Sequence, residues 1–381
     1  MLRIANTYSQ FADWHIIRRL ASYNMTPEAE LILNVLKVFG LSAVTFFAAL
    51  LWTPLLTHYL YKYRLWRKSA RTEARGGGGT PIFTALHKER ETAAPRMGGL
   101  LIWMTTIAVT FAFWAIAKFT EAPLWDKINF LSRNQTWLPL FTLAAASVLG
   151  AIDDLLQVFG RGTDVAGGLK FRVRLAVVLL IAFAGAYWFY FRLEQHALYV
   201  PGLGDLEIGL WFMPLFVITM LATFSTAVTD GLDGLAGGVF ATIFAAYGGI
   251  AFFRGQVDLA AFSAVLLGSL LAFLWYNIPP ARFYMGETGI LGLTTTLTVI
   301  AFLTKSVVVL PLIAFVPAVE AASVVVQLVS KRLRGRKVFL VAPIHHHFEA
   351  KGWPAYKVTM RFWVISVVFA IIGMVVALVG R

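Results

Sequence analysis

Leu149-Gly150-Ala151-Ile152-Asp153-Asp154 closes an apolar stretch, residues 136–156, that carries no earlier charge. A run of that length crosses the ~30 Å hydrocarbon layer as one helix, with every backbone donor and acceptor satisfied inside the segment. Two adjacent carboxylates at its end are costly beside lipid unless cations or a polar site compensate them. The stretch therefore indicates a membrane-spanning helix and directs the search for chemistry to the membrane's rim.

Similar segments recur along the 381 residues, of which 59% are hydrophobic and 14% charged. Soluble domains carry about 25% charged residues, so composition excludes that class. Ten spans are expected, at 29–58, 98–118, 136–156, 174–191, 211–229, 235–253, 259–278, 288–304, 307–328 and 359–379, giving an all-α polytopic membrane protein. Pro311, Pro317 and the central Glu320 predict a kinked or broken ninth helix. Residues 1–28 read as an N-terminal extracytoplasmic or interfacial segment and 29–381 as a single transmembrane domain with its functional loops in the cytoplasm. Within the first segment Phe11, Trp14, Ile16, Ile17 and Leu20 can form a short amphipathic helix. No cleavable leader is expected there, because no apolar core separates its charges. Residues 198–209 show the alternation and the Pro-Gly and Gly-Asp turn signals of a small external β-hairpin.

The chain has 33 Lys+Arg against 20 Asp+Glu. Basic residues concentrate in alternate connections: Lys62 to Arg96, then Arg161 to Arg174, then Lys331 to Lys357. The positive-inside rule makes those loops cytoplasmic and both termini extracytoplasmic. In this setting the positive charge suits anionic headgroups and phosphorylated substrates, not nucleic acid. With no Cys, disulfides, thiolate metal sites and a Cys nucleophile are excluded. An ion-coupled transporter is the competing class. It would place ionisable residues near mid-membrane, where only Glu320 falls, and no internal repeat supports it.

Acids and imidazoles gather on the cytoplasmic side. Asp230-Gly231-Leu232-Asp233-Gly234 sets two acids three residues apart, on one face if helical, with glycines that let a ligand approach the backbone. Capping of the next helix explains the acids but not the glycines inside the pair. Met285-Gly286-Glu287-Thr288-Gly289 adds another carboxylate before the eighth span. Together they form an oxygen-rich set suited to Mg²⁺, which takes one or two carboxylates and fills its other positions with water and phosphate oxygens. In Pro343-Ile344-His345-His346-His347-Phe348-Glu349 the three contiguous rings cannot easily meet one ion, and there is neither Cys nor HExxH spacing to support zinc. Imidazoles that bond or charge-balance a pyrophosphate fit better, with a plain surface loop as the other reading.

Taken together, Met97-Gly98-Gly99, Asp153-Asp154, the run from Thr229 to Ala236, the run from Asn277 to Gly289, the histidine string with Lys351-Gly352-Trp353-Pro354, and Arg361-Phe362-Trp363 resemble the phospho-N-acetylmuramoyl-pentapeptide transferase family. That family sits within the polyprenyl-phosphate N-acetylhexosamine-1-phosphate transferases. The resemblance implies a Mg²⁺-dependent, usually homodimeric enzyme of the bacterial inner membrane, with its active site facing the cytoplasm. Such an enzyme moves phospho-MurNAc-pentapeptide from UDP-MurNAc-pentapeptide to undecaprenyl phosphate, giving lipid I and UMP for peptidoglycan. It implies catalytic roles for Asp153, Asp154, Asp230, His345 and His346, with Asp153 as base on the lipid phosphate or as a covalent nucleophile. It implies substrate binding by Asp233, Asn277, Tyr284, Arg96, Arg174 and His347, and a metal ligand in Glu287, where the family carries Asp. A UDP-GlcNAc-using relative is the alternative within the class; the histidine stretch disfavours it.

The chain departs from the family pattern at three places. Asp-Asp-x-x-Lys ends here in Gln157, the Asn three residues before Asp230 is Ala227, and Glu91 lies near an expected Lys. Arg96, Arg172 and Arg174 are the candidates to restore positive charge near a pyrophosphate.

Overall fold

The computed structural model describes residues 26–67, 84, 94–120, 122–132, 135–162 and 167–380. The expected interfacial helix within residues 1–25 and the position of Glu91 lie outside them. The described residues run first through α1 (Pro27–Lys62), α2 (Gly99–Phe119), a short α3 (Pro123–Ile128), α4 (Trp137–Val158) and α5 (Phe171–Tyr187). A hairpin of β1 (Ala197–Val200) and β2 (Gly204–Glu207) precedes α6 (Phe212–Ser225), α7 (Leu235–Phe253), α8 (Val257–Asn277) and α9 (Gly286–Leu303). Four helices follow: α10 (Leu310–Ile313), α11 (Phe315–Arg334), α12 (Ile344–Ala350) and α13 (Ala355–Val379).

Among the described residues nine helices are long and apolar enough to cross a membrane: α1, α2, α4 to α9 and α13. The ninth expected span is instead two pieces, α10 and α11, separated at Ala314 (φ −99°, ψ 36°). Pro311 and Pro317 each stand in the first turn of a piece, where a missing N–H breaks no helical bond. The expected hairpin is present. Leu198 pairs with Leu206 and Val200 with Gly204, and Tyr199 donates its hydroxyl to the Gly380 carbonyl at 2.8 Å.

At the centre lies α9, in which every residue except Glu287 is buried. It packs on α2, α4, α6 and α7. In lipid there is no hydrophobic drive between helices, so close packing of small residues holds them. A methyl on Gly150 would collide with the Glu287 backbone, and one on Gly292 with the Ser147 hydroxyl. Two threonines of α9 return their hydroxyls to their own helix, Thr294 to Ile290 at 2.9 Å and Thr295 to Leu291 at 2.7 Å, while Thr298 meets Thr223 of α6 at 2.6 Å. At another point Lys37 of α1 reaches Asp258 of α8 at 2.7 Å and the Asn129 carbonyl at 3.0 Å, so a buried cation pins three segments. Large apolar side chains such as Phe39, Leu51 and Val364 point outward, as lipid-facing positions require.

Candidate active site

The site forms where the last turns of α4 meet the first residue pair of α9. Close approach there depends on Met97-Gly98-Gly99. The Gly98 N–H donates to the Tyr284 carbonyl at 2.8 Å, Gly99 N–H to Met285 at 2.9 Å, and Tyr284 N–H to Pro95 at 2.8 Å. Any side chain on Gly98 would strike the Phe283 ring, and one on Gly99 the Gly289 backbone. This clasp carries Arg96 to within 3.4 Å of Asp154.

Four carboxylates from three separate parts of the chain converge. Asp154 Oδ2 accepts the Thr288 N–H at 2.8 Å, and Asp230 Oδ2 accepts the Gly286 N–H at 3.1 Å. Both bonds satisfy amides at the start of α9, whose unpaired donors favour an anion. Arg174 Nη1, from the first turn of α5, donates to Glu287 Oε1 at 2.7 Å and to Asp153 Oδ2 at 3.3 Å. Asp153 also accepts the Leu169 N–H at 2.5 Å and the Gln157 amide at 2.8 Å. Two guanidinium groups thus offset charge that water would otherwise solvate, because Asp153 is 1% and Asp154 0% exposed. Burial pushes the Asp230 carboxyl up to about 7; Arg96 pulls against this, while Glu287 and Asp154 push with it.

The histidine string opens α12, and each ring has its own anchor. His345 Nδ1 bonds Glu320 Oε2 at 2.8 Å, both side chains being fully buried. His346 Nδ1 bonds Glu349 Oε2 at 2.7 Å. His347 Nδ1 accepts the Leu340 N–H at 3.1 Å; burial, then Lys351, lowers its pKa. His345 lies directly against Gly231, where a methyl would collide with its Nε2, so the ring faces the Asp230 loop. That nitrogen is buried and makes no hydrogen bond.

The remaining expected residues are placed differently. Asn277 is 4% exposed; its carbonyl accepts the Gly234 N–H at 2.9 Å and its amide donates to Phe283 O at 2.8 Å, so it ties the two loops together. Asp233 accepts the Ala281 N–H at 3.2 Å. Tyr284 is half-buried and enters the clasp through its backbone. Arg172 is exposed, whereas Arg174 two residues on is buried. Sequence reasoning missed three groups. Glu320 read as an interior acid on a broken helix, Glu349 as part of the histidine string, and Arg67 as one loop cation among many. Arg67 is in fact 1% exposed and donates Nε to Gln157 Oε1 at 2.9 Å, with Nη2 on the same oxygen.

Among the described residues no three acids or imidazoles form a ready metal cage. The donor set still fits Mg²⁺, which is held by one or two carboxylates plus water and substrate phosphate and seldom by a cage of protein ligands alone. Glu287, the one residue of α9 that is not buried, has Asp153 within reach of the same guanidinium.

The sequence matches Glycosyl transferase family 4 over residues 136–305. It is 36% identical over 295 residues to a phospho-N-acetylmuramoyl-pentapeptide-transferase of Levilactobacillus brevis, covering 76% of this chain and 86% of that protein. The protein of the same name from Anoxybacillus flavithermus is 35% identical over 288 residues, covering 75% and 84%. That of Chloroflexus aurantiacus is 35% identical over 303 residues, covering 76% and 78%. With this identity over most of both lengths, and with acids, guanidinium groups and histidines gathered at one rim of a helical bundle, the chain belongs to the phospho-N-acetylmuramoyl-pentapeptide transferase family.

Proposed function

We propose that this integral membrane protein transfers phospho-MurNAc-pentapeptide from UDP-MurNAc-pentapeptide to undecaprenyl phosphate, forming lipid I and releasing UMP. The observation that carries this reading is buried Arg174 joining Asp153 and the partly exposed Glu287, residues from α4 and α9, in one cluster. Asp153 orients the lipid phosphate or accepts its proton, so that the phosphate oxygen can attack the donor's sugar-linked phosphorus. His345, His346, Arg96 and Arg174 hold the diphosphate, whose negative charge suits imidazole and guanidinium donors. Glu287, with Asp154 or Asp230, would hold Mg²⁺, which when bound screens the diphosphate. In this reading the lipid tail lies between spans, beside the break that separates α10 from α11. By the positive-inside rule this rim is cytoplasmic, and membership of the transferase family supports the bacterial inner membrane as its location.

The test is lipid I formation by purified protein from UDP-MurNAc-pentapeptide and undecaprenyl phosphate, with and without Mg²⁺, alongside UDP-GlcNAc. Mg²⁺-dependent product from the muramoyl donor alone supports the reading. Turnover of UDP-GlcNAc instead moves the chain to the related transferase, and no donor-dependent UMP release sinks the enzyme.

A further inference from the structure

The amide of Gln157 stands between a guanidinium and a carboxylate. An amide has one accepting and one donating end, whereas a guanidinium only donates and an ionised carboxylate only accepts. Arg67 Nε and Nη2 both meet Gln157 Oε1, so the other end must turn to Asp153, and Nε2 donates to Oδ2 at 2.8 Å. Both residues are withdrawn from water, Arg67 being 1% and Gln157 4% exposed. Arg67 is delivered by the segment after α1, and the Leu65 carbonyl there accepts the Arg96 N–H at 2.8 Å. The same backbone contact therefore seats Arg67 beside Gln157 and Arg96 beside Asp154.

We propose that Arg67 and Gln157 are one positioning unit for Asp153, bringing through an amide the positive charge that a lysine at position 157 would bring directly. The proposal rests on the reading of Asp153 as the group that meets the acceptor phosphate. Without Arg67 the amide oxygen is left buried without its donor, so the amide is no longer held in the orientation that donates to Asp153. A lysine at 157, one helical turn beyond Asp153, would reach it unaided.

The experiment compares initial rates of wild type, Arg67→Ala, Gln157→Lys and the double variant, at saturating and limiting concentrations of donor and lipid phosphate. Arg67→Ala should lower kcat about 10–100-fold, with KM for the donor nearly unchanged. Gln157→Lys alone should also be slow, because its ammonium would lie against Arg67. The double variant should recover most of the wild-type rate, which loss of a packing contact would not allow. Wild-type kcat in Arg67→Ala, or a double variant no faster than its parents, overturns the proposal. If Arg67→Ala does not fold, Gln157→Met keeps Arg67 and most of the volume: a loss of about 10-fold or more supports the unit, and a full rate overturns it. A wild type inactive on every donor defeats the assigned reaction and this proposal with it; an active wild type matched by Arg67→Ala defeats this proposal alone.

Discussion

Arg174 and Glu287 are joined at 2.7 Å, so the first turn of α5 is tied to the first turn of α9. The bond reaches across 113 residues of sequence. It also extends to Asp153, so one buried cation offsets two carboxylates. Such a group does not tolerate the loss of one member, because the survivors keep their desolvation cost without their compensation.

Glu287→Gln should therefore slow turnover by about 10²–10³-fold, the scale of losing one preorganised electrostatic contact at a reacting charge. Glu287→Asp keeps the charge on a side chain one methylene shorter and should retain far more activity. A Mg²⁺ titration of both variants checks the assignment, since the Gln variant should need markedly more metal for half-maximal rate. An unchanged rate and an unchanged Mg²⁺ curve in Glu287→Gln would remove Glu287 from the site.

Asp230 makes a prediction about stability. Its folded pKa, about 7, lies above the ordinary 3.8. Between those values the folded protein holds a proton that the unfolded chain has released. Stability from this group is thus highest below the unfolded value, declines as pH rises through the window, and stays lower above about pH 7. Asp230→Asn cannot titrate and escapes the decline. Melting temperatures in detergent without divalent metal should show the variant gaining on wild type from acid pH to neutrality, then holding a constant lead. A difference independent of pH would refute the shifted carboxyl.

The spans were legible because an apolar run of membrane length has few alternatives, and the broken ninth helix because Pro311 and Pro317 lie inside such a run. The acids were legible by being out of place: Asp153 and Asp154 interrupt a segment that is otherwise free of charge. That they share one rim was expected from the loop charges and the family resemblance; which of them pair was not, because no local pattern says which rim residues of α4, α5 and α9 face each other. Asn277 shows the limit in the other direction. It was expected on substrate, yet its carbonyl and amide join two loops, a role only tertiary contacts reveal. Gln157 read as the loss of a cation; the compensating Arg67 lies 90 residues away and looked like its neighbours until its burial was known.

Gly150 and Gly40 offer a paired test of the packing around α9. A Cβ at Gly150 would run into the Glu287 backbone, whereas one at Gly40 meets nothing within 4 Å. Gly150→Ala should cost about 1–3 kcal/mol through overpacking and slow turnover by displacing Glu287. Gly40→Ala should be neutral or stabilising by up to about 1 kcal/mol, from helix propensity. Thermal unfolding of the two variants in the same detergent reads both signs. Equal effects would mean that contact between α4 and α9 does not set the position of Glu287.

Glu320 and His345 should behave as one unit. Their 2.8 Å bond is fully buried, and it aims the opposite ring nitrogen at Gly231 beside Asp230. Glu320→Ala leaves that imidazole without its anchor and should destabilise the protein by about 3–5 kcal/mol, the cost of breaking a buried pair from one side. Glu320→Gln preserves an acceptor for the ring, so it should fold nearly as well as wild type while losing rate. The decisive measurement is a double-mutant cycle on unfolding free energy. Glu320→Ala combined with His345→Ala should be less destabilised than the sum of the single variants by about 0.5–3 kcal/mol. Strict additivity would show that the two side chains do not support each other, and the orientation of His345 toward the Asp230 loop would then need another cause.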